Sequence, residues 1–370
     1  MAGLYFHIPF CKRICAYCDF YKSADLSRMD ELLAAMAAEL ELRHDYLASE
    51  PIRTRYFGGG TPSLCSPTAL RVLLDRAAEL FDCSAIEETT LEANPDDLSL
   101  EYLVALREVG FDRLSIGVQS FDDDCLRLMN RRHTAAQALA AIRNAHLAGF
   151  ENITADLIFG VPNFGGDSLR HSLDCMLDAG VQHISAYHLT IEPETTFGRR
   201  VARGTFAPVE ETVSEEEFML VHETLCAAGY EHYEVSNYAL SGFRARHNTA
   251  YWHGEKYLGI GPAAHSFDGN ERHWNIASVA RYLAGESAEY EQLSERDRFN
   301  EYLMTRLRTI EGIDLCEVAQ LFGKTRADRL LGEVEIVGRD GALQRRGSRL
   351  HILPERFLVS DRVIADLFEV

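Results

Sequence analysis

Three cysteines stand close together near the start of the chain, in the segment HIPFCKRICAYCDF: Cys11, Cys15 and Cys18, spaced C-x3-C-x2-C. Thiolates hold iron–sulfur clusters, and a cubane normally takes four protein ligands, one on each iron. Three thiolates therefore leave one iron of a 4Fe–4S cluster open. A small molecule with an amino and a carboxylate group, such as the methionine end of S-adenosylmethionine, can chelate that iron. One electron passed from such a cluster to the sulfonium splits its S–C5′ bond and releases a 5′-deoxyadenosyl radical; the chemistry is the cofactor's, and the protein aims it. Zinc is the alternative occupant, but no fourth Cys or His stands nearby at the usual knuckle spacing. The other six cysteines, Cys65, Cys83, Cys125, Cys175, Cys226 and Cys316, stand alone and read as buried or inert thiols.

A repeating unit is available to hold these thiols over a ligand. Apolar β-type runs at 4–8, 53–57, 89–92, 114–118, 153–159 and 183–190 alternate with helix-period stretches. In the first such stretch Met29, Leu32, Leu33, Met36, Leu40 and Leu47 share a face, with Ser27 as N-cap. Strands alternating with helices predict right-handed βαβ units and a parallel sheet. Six units fall short of the eight that close a barrel, so the fold class expected is α/β, a partial, open (β/α)6 barrel. Ligands of such sheets sit at the carboxyl ends of the strands. The chemistry-bearing residues fall there: His7 and the cysteines after the first strand, Gly58, Gly59, Gly60 and Thr61 after the second, Glu92 ending the third, Gln119 after the fourth.

Near Thr195 the alternation stops, and residues 230–285 read as strands and loops rich in Tyr, His and Gly. Further on, Phe299, Tyr302, Leu303 and Leu307 mark a helix, and 315–322 and 325–331 suggest two more. Segments 334–337 and 350–353 then flank a glycine-containing turn, as a hairpin would, giving a C-terminal winged-helix-like α+β module. The expected division is a core at 1–195, an extension at 196–293 and the winged-helix-like domain at 294–370.

A net charge of -20 over 370 residues repels nucleic-acid phosphates, and Arg345, Arg346 and Arg349 in the expected wing make a poor footprint beside it. No run of 18 or more apolar residues predicts a membrane span, which leaves at most peripheral membrane contact. The opening MAGLYFHIPF lacks a basic n-region and a cleavage site, so the expected location is cytoplasmic. Nine cysteines, an odd number, in such a chain argue against a disulfide framework.

The motifs YFHIPFC, FGGGTPS, LEANPDD, IGVQSFDD, MNRRHT, DLIFGVP and GIGPAAHS run in order along nearly the whole chain. Together they resemble the radical S-adenosylmethionine superfamily and, within it, the group related to oxygen-independent coproporphyrinogen III oxidase. The resemblance implies a 4Fe–4S cluster on Cys11, Cys15 and Cys18. It also implies S-adenosylmethionine contacts from Tyr5, Tyr17, Gly59, Gly60, Thr61, Glu92, Gln119, Arg131, Asp156 and His265, with the glycine loop bonding the amino group of the methionine moiety. His7 reads as structural or as cluster-adjacent. By type alone these are turn glycines and hydrogen-bonded polar side chains.

Two features depart from the oxidase. Cys18 is followed by Asp19 and Phe20, so that CxxCxF stands where the oxidase has CxxCxC, and ten residues precede Cys11 where the oxidase has a long extension. Both match the heme-chaperone branch of the group, as does RHNTAYW, Arg246 to Trp252, which is similar to its HNxxYW heme-binding motif. The resemblance implies heme, with His247 as axial ligand, Asn248, Tyr251 and Trp252 around the macrocycle, and Arg244 or Arg246 on a propionate. It implies a chaperone that passes heme to acceptor proteins such as respiratory-chain components, served by an electron donor, and it allows a homodimer. The second reading is radical decarboxylation of coproporphyrinogen. By type alone, His247 is a hydrogen-bonded histidine at a strand–loop junction.

Overall fold

The computed structural model describes residues 2–337 and 341–370. All six expected strands form: β1 (Ala2–Ile8), β2 (Ile52–Gly59), β3 (Glu88–Ala93), β4 (Arg113–Gln119), β5 (Asn152–Phe159) and β6 (His183–His188). They pair in parallel in that order, each with the next. Helices Met29–Leu42, Pro67–Leu80, Leu100–Val109, Ala135–Leu147 and Asp167–Asp178 make the crossovers. Their starts are set by side chains that take an otherwise unpaired N–H: Ser66 accepts from Ala69, Ser99 from Tyr102, and Thr134 forms a capping box with Gln137. The first helix departs from expectation. A short 3-10 turn, Leu26–Arg28, precedes it, and Asp25 rather than Ser27 is the capping side chain. Leu47 lies past the helix end, although it is still buried in the core.

Strand alternation divides the barrel into two chemistries. Leu4, Phe6, Phe57, Leu91, Leu114, Ile116 and Ile153 join the apolar layer under the helices, where the Phe6 and Phe57 rings stack 4.2 Å apart. The inner face is polar and hydrogen-bonded across strands. Arg113, only 1% exposed, lies 3.7 Å from Glu88 and donates to Thr154, which pairs with His183.

The sheet does not stop at six strands. β7 (Glu231–Glu234) and β8 (Asn237–Ala239) form a hairpin on the β6 edge. On the other edge β9 (Lys256–Ile260) runs parallel to β1, and β10 (His265–Phe267), β11 (Glu271–Trp274) and β12 (Glu289–Gln292) continue antiparallel. Twelve strands therefore run in one sheet, and the segments after Thr195 cover edges that would otherwise carry unpaired backbone groups.

Beyond them come a helix (Glu295–Arg306), β13 (Ile313–Asp314), helices Leu315–Phe322 and Lys324–Val337, and the hairpin β14 (Leu343–Arg346) and β15 (Arg349–Ile352). The order helix, strand, two helices, two strands is that of a winged helix, and β13, β15 and β14 form its small antiparallel sheet. Residues 334–337 are not a strand. Ala327, Leu330, Leu331 and Val334 continue one helical stripe against the core, and that spacing outweighs the local β-type composition. No helix among the described residues is long and apolar enough to cross a membrane.

Candidate functional site

After Ile8 the chain crosses the carboxyl mouth of the barrel as a loop that backbone bonds close at its base: Ser23 N–H donates to Pro9 (2.8 Å) and Cys11 N–H to Ser23 (2.9 Å). Its middle is fastened to the end of a short helix that follows β4 (Asp123–Leu128), since Ala16 N–H donates to Met129 (2.9 Å) and Asn130 Nδ2 to the Ile14 carbonyl (2.7 Å). Asp97 holds it from a third side through Lys12 (2.9 Å). So fixed, the loop turns the half-buried Cys11, Cys15 and Cys18 into one cavity of about 410 Å³. Thr61 Oγ1 donates to Cys11 Sγ (3.5 Å) and Arg131 Nη1 to Cys15 Sγ (3.3 Å). Burial pushes the Cys11 and Cys18 thiols up, so they stay protonated at neutral pH and must release protons on binding metal. Among the described residues, no three His, Cys, Asp or Glu side chains gather as a single ion requires. Each thiolate of a cubane binds its own iron, and three thiols that line one cavity can each hold one.

The rest of the cavity wall comes from successive strand ends. Glu92 on β3 is held by the Tyr56 hydroxyl (2.7 Å) and Gly59 N–H (3.0 Å). Gly59, Gly60 and Thr61 follow β2, and the glycines answer first to the protein itself: a Cβ at Gly60 would lie 2.5 Å from the Pro9 backbone, and one at Gly59, where φ is +103°, 2.6 Å from the His7 ring. Gln119, at an irregularity in the β4–β5 pairing, has φ of 69° and a buried Oε1 without a hydrogen-bond partner. Arg131 reaches Asn94, the Gly117 carbonyl and Tyr17, while its buried Nε has no partner. Strained backbone and orphaned polar atoms around a cavity mark a ligand site. Carboxylates, an amide, a guanidinium and backbone groups suit an amino acid joined to a nucleoside.

Burial, reinforced by the Glu92 charge, pushes the Asp156 carboxyl up to about 7. The folded protein keeps that proton through a range in which the unfolded chain loses it, so burying Asp156 costs stability as the pH rises from about 4 to about 7. Asp156→Asn should therefore raise the melting temperature of the ligand-free protein at pH 8 and leave it nearly unchanged at pH 4. Thermal unfolding at both pH values checks this, and an equal shift at both would remove the proton from the account.

Tyr17, Gly59, Gly60, Thr61, Glu92, Gln119, Arg131 and Asp156 all line the cavity with the three cysteines. Tyr5 and His265 do not. Tyr5 faces the barrel interior below, stacked on Tyr56 and His247 with its hydroxyl 3.1 Å from His7, and His265 stands on β10, two strands beyond β1 in the sheet. Three residues that the motifs do not single out also take part: Asn94 and Tyr187 line the cavity and Asp97 pins its loop. The acidic end of LEANPDD was the available signal for Asp97.

The Radical SAM superfamily profile matches residues 5–176. The Heme chaperone HemW of Mycobacterium tuberculosis is 37% identical over 375 residues, spanning 99% of this chain and 94% of that protein. The Heme chaperone HemW of Bacillus subtilis is 32% identical, with 98% of each covered. The chain belongs to the HemW family of the radical S-adenosylmethionine superfamily. Its fold is that of the coproporphyrinogen III oxidase HemN from Escherichia coli, at a TM-score of 0.85 and 21% identity over 99% of this chain and 90% of that one.

In this HemW-family chain the HNxxYW segment forms a short helix, Arg246–Trp252, lodged in the opposite, amino-terminal mouth of the barrel. Its first N–H groups, of Arg246 and His247, each donate to the buried Glu88 carboxylate at 3.0 Å. His247 is 1% exposed; Nδ1 pairs with Thr54 Oγ1 (2.7 Å) and Nε2 with Tyr251 Oη (2.8 Å), and its ring stacks on Tyr56. The expectation that His247 presents a free imidazole to heme does not fit this position, because both nitrogens are taken and no face is open. Arg244 and Arg246 are not free for a propionate either, since Arg244 pairs with Glu231 and Glu311 and Arg246 with Glu87. Trp252 has a buried indole N–H without a partner, and the half-buried Asn248 sits one turn from it on the same helix.

Proposed function

We propose that the chain is a heme chaperone that holds heme and passes it to an acceptor protein, with a 4Fe–4S cluster on Cys11, Cys15 and Cys18 and S-adenosylmethionine beside it. The observation that carries this reading is the full-length match, at 32–37% identity, to proteins named heme chaperones. The likeness to the oxidase, at 21%, speaks to the fold. Phe20 supports the same side: it stands where the oxidase pattern has a cysteine and is 70% exposed at the cavity rim. When bound, cluster and S-adenosylmethionine together supply one-electron cleavage of a sulfonium bond. The chain's own part is to turn three thiols inward, offer the Gly59–Thr61 backbone and the Glu92 carboxylate to the methionine end, and keep Gln119, Arg131 and Asp156 for the remaining polar groups.

The test is anaerobic. Reconstituted protein should bind heme with a shifted Soret band and should not convert coproporphyrinogen III. Accumulation of protoporphyrinogen would favour the oxidase reading. Glu92→Gln should lower S-adenosylmethionine affinity roughly ten- to hundredfold, the equivalent of one charged hydrogen bond, with iron content unchanged. Equilibrium binding on reconstituted protein reads this, and equal affinities would take Glu92 out of the site.

A further inference from the structure

The rim of the thiol cavity carries a charge of the opposite sign to the chain as a whole. Residues 9–24, the cysteine loop, hold Lys12, Arg13 and Lys22 against Asp19, and residues 196–208 hold Arg199, Arg200 and Arg203 with no Asp or Glu, in a chain of net charge -20. The two segments pack on each other. Glu192 lines the cavity, Thr195 caps the seven-residue helix Thr196–Ala202 that follows it, and Phe197 N–H donates to the Ala16 carbonyl of the loop (2.9 Å).

Lys12 pairs with Asp97, but the other five cations have no carboxylate partner among the described residues. Arg13 donates to the Arg131 carbonyl (3.3 Å), Lys22 to the carbonyls of Cys18 (2.6 Å) and Phe20 (2.9 Å), and Arg199 to that of Glu194. Arg200 lies 5.1 Å from the Phe206 ring, and Arg203 is exposed. With 57 Asp and Glu against 37 Lys and Arg, arginines elsewhere are taken up by glutamates, as Arg53, Arg244, Arg272 and Arg326 are. Unpaired cations gathered at one opening are therefore a local exception. Between them stand exposed apolar side chains: Ile14 (41%), Phe20 (70%) and Val201 (37%).

We propose that this rim is the docking surface for an acidic one-electron carrier protein, a surface that rests on the reading of Cys11, Cys15 and Cys18 as cluster ligands. A partner seated there stands beside the thiols. One electron leaves its reduced flavin or iron–sulfur centre and enters the cluster, and no bond forms or breaks. The acidic remainder of the surface repels such a carrier, so a basic patch at the cavity mouth steers it to the place where its electron is used. Ile14, Phe20 and Val201 supply the apolar contact of a small, transient interface. A lipid surface fits less well, because a seven-residue helix with one part-exposed valine offers too small an apolar face to insert.

The test uses anaerobically reconstituted protein and two acidic carriers, a flavodoxin and a plant-type 2Fe–2S ferredoxin. Calorimetry measures binding, and stopped-flow absorbance measures reduction of the cluster by each reduced carrier. Wild type should bind at least one carrier, more weakly as salt rises. Arg199→Glu/Arg203→Glu should lower affinity and the bimolecular reduction rate by about tenfold or more at low salt, with cluster iron and reduction by dithionite as in wild type. Arg143→Glu/Arg170→Glu, the same charge change at exposed positions on the outer helices Ala135–Leu147 and Asp167–Asp178, should alter both by less than about threefold. Equal losses in the two double variants would overturn the surface. So would a cluster-loaded wild type that binds neither carrier, or that is retained by phosphatidylglycerol vesicles instead. A wild type that takes up no iron would overturn the cluster reading, and this surface with it.

Discussion

Cys15→Ala should abolish cluster assembly, taking iron from about four atoms per chain to near zero and removing the broad visible absorption. Cys15 Sγ is the sulfur that Arg131 reaches, at 3.3 Å. Two protein thiolates would remain for a cluster that already accepts one external ligand. The loss should be local. The loop is fixed by backbone and side-chain bonds from Ala16, Asn130 and Lys12, none of which uses the sulfur, so circular dichroism and the melting temperature of the metal-free protein should match wild type. Cys226→Ala, at an exposed thiol, should assemble normally and serves as the control. Iron and sulfide analysis after anaerobic reconstitution decides it, and a cluster retained in Cys15→Ala would mean that the ligands lie elsewhere.

The parts of this site that are legible in the sequence share one property: local pattern and strand-end position suffice to place them. Period-two and helical periods locate β1–β6, and the rule that ligands gather at carboxyl strand ends then brings Cys11, Gly59, Glu92 and Gln119 to one mouth. What local pattern leaves out is long-range. His247 lies at the other mouth because Glu88, more than 150 residues upstream, accepts its backbone N–H, and no spacing in RHNTAYW encodes that pairing. His265 follows a motif that resembles a cofactor contact, but β9 adds parallel to β1 and the tight hairpin then carries His265 outside the thiol cavity. The order of strands at a sheet edge depends on which partner covers it, and short strands rich in Tyr and Gly say little about that choice.

His247→Ala should lower stability by about 2–4 kcal/mol, the usual scale for removing a buried side chain that satisfies two polar partners. Thr54 Oγ1 and Tyr251 Oη would both lose their partner, and the faces of Tyr5 and Tyr56 that now pack on the imidazole would border a void. Replacement by Gln should recover part of the loss through the hydrogen bonds. Burial, helped by the nearby Arg113, pushes the His247 imidazole down to about 3, so the folded protein refuses a proton that the unfolded chain accepts below about pH 6.5. Wild-type stability from this residue is therefore full above about pH 6.5 and is lost as the pH falls toward about 3. The gap between wild type and His247→Ala should narrow on acidification, and urea unfolding at pH 8 and pH 5 measures it. The Soret band of heme added to the variant, at a temperature where it is folded, reads whether the imidazole is on the iron. An unchanged stability together with a lost band would return His247 to the iron and would require the Arg246–Trp252 helix to leave the barrel mouth in the heme-bound protein.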